Sequence, residues 1–333
     1  MTDGSSLRAK RGNLWPIAAC IAASYLLAMT VLARAIDPPE KHEILRVGPN
    51  RTIKTIADSA ALARAGAIVH VDAGDYRADV AVWQKDNITI RAVGGRVRLL
   101  ARGAAAESKA IWVVRAKGMR VEGFDFVGAR VADKNGAGIR LERGTLSVQD
   151  CSFTDNENGI LTSNDPQVEL EVVNSEFGYN GYGDGQSHNL YAGTIARLSV
   201  TGSYFHHARV GHLLKSRAAE NHIVNNRLID GEDGTASYEL EFPNGGVANV
   251  VGNTIGQSTR TENLQLISFG AEGYKWPRNT LHLANNNMAN PLRNGVLLKV
   301  APGADAVQVM NNVVVGYGSL PTGSGSPWPA ASR

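Results

Sequence analysis

Asn225-Asn226-Arg227-Leu228 is answered by Gly252-Asn253-Thr254-Ile255, then by Asn285-Asn286-Asn287-Met288 and Met310-Asn311-Asn312-Val313. Upstream, the same place is held by Gly123-Phe124-Asp125-Phe126, Asp150-Cys151-Ser152-Phe153, Asn174-Ser175-Glu176-Phe177 and Gly202-Ser203-Tyr204-Phe205. The closing apolar anchors stand 27, 24, 28, 23, 27, 33 and 25 residues apart. A short alternating run precedes each unit, as in Leu146-Ser147-Val148, Leu170-Glu171-Val172 and Leu198-Ser199-Val200. A second run follows a polar loop, as in Ile139-Arg140-Leu141, Tyr238 to Phe242 and Val296 to Val300. Alternation with a period of two is the mark of strands. A unit of about 25 residues with two or three short strands cannot bury its own apolar face, whereas stacked units can. The repeat therefore predicts an all-β solenoid of about eight or nine coils. Asparagine tolerates the left-handed backbone of a sharp turn. Asn226, Asn253, Asn286 and Asn311, stacked about 4.8 Å apart, are expected to bond up and down the stack as an internal ladder.

Residues 51–76 read differently. Thr52 is expected to cap a helix with Ile53, Ile56, Ala60 and Ala63 on one face, ended by Gly66. Ile68 to Val71 is then the first strand, and Gly74-Asp75-Tyr76 turns the chain. Such a helix would cover the open apolar end of a solenoid.

The chain has 333 residues with 43% apolar and 20% charged content, within the range of globular material. Two cysteines exclude a disulfide scaffold and a cysteine-rich zinc module. The net charge of +3 belongs to the first 35 residues, where Arg8, Lys10, Arg11 and Arg34 face Asp3 alone. The rest carries 30 basic and 30 acidic residues, so no basic footprint for nucleic acid exists. Basic residues ahead of the apolar stretch 14–33 have the order of an export signal, with Ala33-Arg34-Ala35 as a cleavage site. The stretch is also long enough to span a bilayer as an uncleaved anchor. Both readings place the body outside the cytoplasm and limit membrane contact to this segment. Ile17-Ala18-Ala19-Cys20 resembles a lipobox but lies too close to the basic cluster to leave room for an apolar core. The expected organisation is a leader or anchor over residues 1–35, a polar linker over 36–50, the solenoid over 51–318 and a flexible tail over 319–333. A monomer is expected, with Cys151 a packed thiol.

Thr52-Ile53 through Gly66, Val71 to Tyr76 and the repeated Asn-x-x-apolar units make the chain resemble the right-handed parallel β-helix superfamily of pectate lyases, pectin methylesterases and alginate-modifying enzymes. The resemblance covers roughly residues 45–316 and implies the fold. Members include lyases, hydrolases, esterases, epimerases and adhesins, so it leaves the activity open. Lys215-Ser216 with Asn221, Asn225 and Gly252-Asn253 is similar to the phrase around the catalytic lysine of β-helical alginate and chondroitin lyases. That similarity implies Lys215 as a base. The acidic calcium ligands that precede the lysine in that family are replaced by Ala208 and Val210. Where its catalytic arginine stands on the next rung, this chain has Glu239 and Glu241.

Chemistry-bearing residues crowd into one region. Five of the eight histidines, His188, His206, His207, His212 and His222, lie there with Asp184, Tyr191, Lys215, Arg217, Glu239 and Glu241. A glycine-rich loop, Gly178 to Gly185, is long enough to wall a cleft. In Tyr238 to Phe242, alternation puts Glu239 and Glu241 on one face, about 7 Å apart, with both facing solvent if Leu240 faces the core. Three readings follow. Two carboxylates near that spacing suit inverting glycoside hydrolysis. They suit Ca²⁺, which prefers carboxylate oxygens, so the cofactor expectation is none or Ca²⁺. Alternatively, Lys215 or His188 takes the C5 proton of a uronate, Arg217 neutralises its carboxylate and Tyr191 protonates the glycosidic oxygen. On that reading Glu239, Glu241, His212 and Asp184 contact the substrate. The partner is then an acidic polysaccharide, processed by β-elimination or C5-epimerisation. A non-catalytic module that binds glycan or protein through the same face is the alternative, with an exposed Lys–Glu ladder as its simplest form. Vicinal His206 and His207 are expected in a solvated turn. No G-x-S-x-G or H-E-x-x-H occurs, which leaves serine hydrolases and zinc proteases of those types unsupported.

Overall fold

The computed structural model describes Met1 and residues 42–320. The expected leader or anchor and nearly all of the expected tail lie outside these residues. The described chain winds into a right-handed parallel β-helix of about ten turns, slightly more than the repeat suggested. Each full turn contributes one strand to each of three ladders, and every partner strand lies one turn further on. A side ladder includes Thr145–Gln149, Glu169–Val173, Arg197–Thr201 and Glu220–Val224, in register as Leu146, Leu170, Leu198 and Asn221. An anchor ladder follows after a sharp corner, with Ser152–Thr154, Glu176–Gly178 and Tyr204–His206 among its strands. A third, separate ladder of nine strands, from Ala81–Trp83 to Val296–Val300, carries the candidate site and is called the site ladder below.

The anchors explain the repeat. Phe126, Phe153, Phe177 and Phe205 are fully buried and stack ring on ring, with centroids 4.8, 4.7 and 4.6 Å apart. That is the spacing of adjacent strands, so each ring meets its own equivalent one turn on. At the corner before them runs a polar column. The amide N–H of Cys151 bonds Ser175 Oγ, that of Ser175 bonds Ser203 Oγ, and that of Ser203 bonds Asn226 Oδ1. From there the side-chain amides take over: Asn226 donates to Asn253, Asn253 to Asn286, and Asn286 to Asn312, each bond 2.9–3.0 Å. Every member is satisfied, which is what allows so polar a column inside a core.

The ladder therefore ends on Asn312, one residue past the Asn311 read from the sequence. Asn225, Asn285 and Asn311 hold the left-handed turn positions with φ of 53–57°. Val314 and not Val313 is the last anchor, opposite Met288. The run Met310-Asn311-Asn312 offers two adjacent asparagines, and only corner geometry decides which one turns inward.

The helix (α1, Ile56–Leu62) is capped by Thr55, not Thr52: Thr55 Oγ1 accepts from the Asp58 N–H at 3.0 Å. Asp79 adds a second cap by accepting from the N–H groups of Ile56 and Ala57. Ile53 bridges to Val47 instead of joining the helix. A strand, Ile44–Val47, pairs with Ile68–Val71, so the solenoid begins inside the stretch expected as linker. Gly74 marks a register shift within a longer strand, Ile68–Arg77, that continues to pair beyond it. Cys151 is buried and its thiol is pushed up to about 12 by burial.

Candidate functional site

The outward side chains of the site ladder form two rows. One reads Asn158, His188, His212, Tyr238 and Gln265. The other, fixed by register, reads Val113, Arg140, Leu161, Tyr191, Lys215, Glu241, Ser268 and Lys299. Residues 21–31 apart in the chain thus become neighbours on adjacent turns.

Lys215 and Glu241 face each other across one rung, with Nζ 3.1 Å from Oε2. The same Oε2 lies 2.9 Å from His212 Nε2. Burial pushes the Glu241 carboxyl up, but the hydrogen bond and charge of His212 and the charge of Lys215 outweigh it and hold the group below its ordinary value. Burial lowers His212 despite Glu241. With Glu241 accepting at Nε2, the neutral ring keeps its proton there and leaves Nδ1 as a buried, unpartnered acceptor. His188 is buried and held well below its ordinary value, by burial first and then by His212, Lys215 and Arg217. Its Nδ1 accepts the His212 backbone N–H at 3.0 Å, which places the proton of the neutral ring on Nε2. In this arrangement His188 offers a donor, not the lone pair a base needs.

Arg217 stands beyond Lys215 on the same strand edge. Its Nε donates to Tyr191 Oη at 2.8 Å, and Nη1 donates to Asn244 Oδ1 at 2.7 Å. Nη1 and Nη2 grip both oxygens of Glu272 at 2.6 and 2.8 Å. Burial lowers the guanidinium, but the bonds to Glu272 and Tyr191 reverse that and raise it. Glu272 is held low chiefly by the bond from Arg217. Its side chain is 47% exposed and sits on the loop after Gln265–Phe269, and its Oε1 also reaches 3.7 Å from Lys215 Nζ. Trp276 Nε1 donates to the Arg217 carbonyl, so this indole packs under the arginine. Tyr191 Oη accepts from Arg217 and so keeps its own O–H free to donate. Lys215 Nζ and Arg217 Cζ lie 5.7 and 5.8 Å from the Tyr191 ring centroid.

Glu239 departs from expectation. It is fully buried, neither oxygen has a partner, and burial followed by Asp230 drives its pKa well above the ordinary value. Strand alternation begins only at Leu240. The preceding position points inward on each neighbouring turn, where Asn189, Leu213 and Leu266 are fully buried. Glu239 occupies that inward row, while Glu241 lies on the outer row but is itself buried at 4% exposure under His212 and Lys215. Neither carboxylate faces open solvent as expected, the Lys215–Glu241 pair is not an exposed ladder, and the two-carboxylate arrangements for hydrolysis and for Ca²⁺ do not form. Among the described residues no group of three or more His, Cys, Asp or Glu gathers in a metal-holding geometry. Asp184 is exposed and accepts from the Gln186 N–H, on the rim of a cavity that Tyr191 also lines. His206 and His207 do not sit in a freely solvated turn: their Nδ1 atoms lie 2.7 Å apart, and their outer nitrogens meet Glu176 and Asp233.

The sequence reading brought Tyr191, Lys215, Arg217, His188, His212 and Glu241 to one region, and the structure gathers them on three successive turns. It missed Glu272 and Asn244. Glu272 lies 55 residues from Arg217, two turns on; the signal was a lone acid between Gly270 and Gly273 in a loop that follows a site-ladder strand.

No protein-family model matches the chain, and no curated protein matches its sequence. Solved structures do match in fold. The crystal structure of pectate lyase Pel9A is 12% identical, with a TM-score of 0.53 over 82% of this chain and 80% of that one. ORF18 of Geobacillus virus E2 is 14% identical, with a TM-score of 0.57 over 94% of this chain and 62% of that one. The PL6-family alginate lyase AlyGC is 14% identical, with a TM-score of 0.50 over 84% of this chain and 41% of that one. At these identities the likeness establishes the parallel β-helix fold.

Proposed function

We propose that the site ladder binds an acidic polysaccharide and acts on it by β-elimination or C5-epimerisation. The observation that carries this reading is the grip of Arg217 on Glu272. A guanidinium fork is matched to a carboxylate, and here the carboxylate comes from an exposed loop side chain. A uronate carboxylate entering the groove would take the place of Glu272. The sugar C5 would then lie over Lys215, and the glycosidic oxygen near Tyr191.

In elimination Lys215 first gives its own ammonium proton to solvent and then takes the C5–H proton. The electron pair closes the C4=C5 double bond, the C4–O bond breaks, and the departing oxygen takes the Tyr191 proton. In epimerisation the C4–O bond stays intact and the Tyr191 O–H instead returns a proton to C5 on its other face. Arg217 stabilises the charge that builds on the carboxylate in either path. His212 and Glu241 position Lys215, and His188 contributes a donor edge. Pectate lyase Pel9A and alginate lyase AlyGC share the fold and support the substrate class. The basic residues ahead of the apolar stretch 14–33 support action outside the cytoplasm.

Alginate, pectate and glycosaminoglycans, incubated with the protein and followed by the ultraviolet absorbance of unsaturated ends, test elimination. Product that vanishes in Lys215→Ala and Arg217→Ala is expected. The second reading, a non-catalytic glycan-binding module, is favoured by the closed ion pair of Lys215 with the buried Glu241. It predicts binding without product in every variant.

A further inference from the structure

Arg140 is the anomaly of the site ladder. Other partly buried arginines of the solenoid have acids: Arg115 has Glu107 and Glu142, Arg130 has Asp155, and Arg217 has Glu272. Arg140 makes no hydrogen bond and no ion pair with any described residue. Its Nε is buried without a partner. It stands in the outward row between Val113 and Leu161, both buried in a small apolar cluster on the outer face of the ladder. Burial pushes its pKa down, and Glu142, the acid that opposes this, is already bound by Lys109 and Arg115. A cation kept in such a place without a counter-ion costs stability, and a chain that only had to fold would do better with an apolar residue.

The guanidinium lines a cavity of about 410 Å³ that runs along the site ladder to Tyr191. One wall is the loop from Val131 to Gly136, stapled by the buried Glu157 carboxylate, which accepts both of those N–H groups at 3.0 and 2.6 Å. Asp184 and Asp133 stand exposed on the rim, and Lys134 lies 4.3 Å over the ring of Tyr182. Tyr191 thus belongs both to this cavity and to the candidate site.

We propose that Arg140 is the carboxylate anchor of a distal subsite for the acidic polysaccharide, three rungs before Lys215. This rests on the reading of the groove given above. At about 4.8 Å per rung the two cations are separated by about 14 Å along the ladder. An oligosaccharide of several units spans that distance, and a disaccharide does not. Arg140 touches no reacting atom; it sets length and charge preference.

The test is calorimetric titration of the full chain with dimers and hexamers of mannuronate and galacturonate, and with the methyl-esterified hexamers, using wild type, Arg140→Gln and Lys215→Ala. Arg140→Gln is expected to weaken acidic hexamers by about tenfold or more, to leave dimers unchanged and to shrink the preference for acidic over esterified hexamers. Its melting temperature is expected to equal or exceed that of wild type, because an unpaired charge has been removed. Unchanged hexamer affinity in Arg140→Gln, with wild-type binding intact, overturns the subsite and spares the general reading. Loss of dimer and hexamer binding alike, or a marked fall in melting temperature, shows a structural role and also overturns it. Wild type that binds no acidic oligomer removes both proposals.

Discussion

The anchor corner and the site face are built on the same rungs and obey opposite rules. At the corner, like meets like: phenylalanine lies on phenylalanine and asparagine bonds asparagine, one turn after another. On the site face, unlike meets unlike: Tyr191, Lys215 and Glu241 occupy one register column on three consecutive turns. Translational repetition satisfies every group at the corner. On the face it has been given up, and the result is a set of side chains that hold one another's charge and leave Arg140 with none. The corner holds the fold, and the face is where the chain departs from its own repeat.

Breaking the corner should have the largest effect. Phe177→Ala removes a ring stacked on both sides and is expected to cost about 4 kcal/mol in denaturant unfolding. Asn253→Ala removes the acceptor of both the backbone and the side-chain N–H of Asn226 inside the core and should cost roughly 3 kcal/mol by the same assay. A cost under about 1 kcal/mol for either would show that the stack is not cooperative.

Glu239 should behave in the opposite sense. Its carboxyl holds its proton in the folded chain well above the range where the unfolded chain releases it. The native state is therefore favoured in acid, and the advantage is lost as pH rises through the folded value. Glu239→Gln should stabilise the protein by at least about 1 kcal/mol at neutral pH, with the gain fading toward pH of about 4. Melting curves across that range check it; a gain independent of pH would contradict the assignment. The smallest stability effect is expected at Glu272. As a half-exposed acid, its replacement by glutamine should change stability by less than about 1 kcal/mol. The same variant frees Arg217 and should bind acidic oligosaccharides more tightly than wild type.

Much of the fold was legible because the repeat is written in side chains that touch their own equivalents. The phenylalanine anchors and the Asn226–Asn253–Asn286 run could be found by counting. The final rung slipped by one because Asn311 and Asn312 are chemically identical and differ only in backbone φ. The helix cap slipped for a similar reason, since Thr52 and Thr55 both precede apolar residues. Glu239 was misplaced because strand alternation was carried past the strand's first residue into a turn. The site was harder to read. Lys215 and Glu241 follow from register, but the bond from Arg217 to Glu272 crosses two turns and depends on how a loop folds back. Arg140 gave no sign at all, because what marks it is a missing partner, and a sequence does not show which acids are already engaged.

The account turns on proton transfer at the sugar C5, so the most direct measurement is proton nuclear magnetic resonance of alginate and pectate incubated with the protein in deuterium oxide. The expected result is either olefinic signals of unsaturated ends or deuterium entering at C5, present with wild type and abolished in Lys215→Ala. Polysaccharide that binds to the wild-type protein yet keeps its C5 protons and its chain length would contradict it.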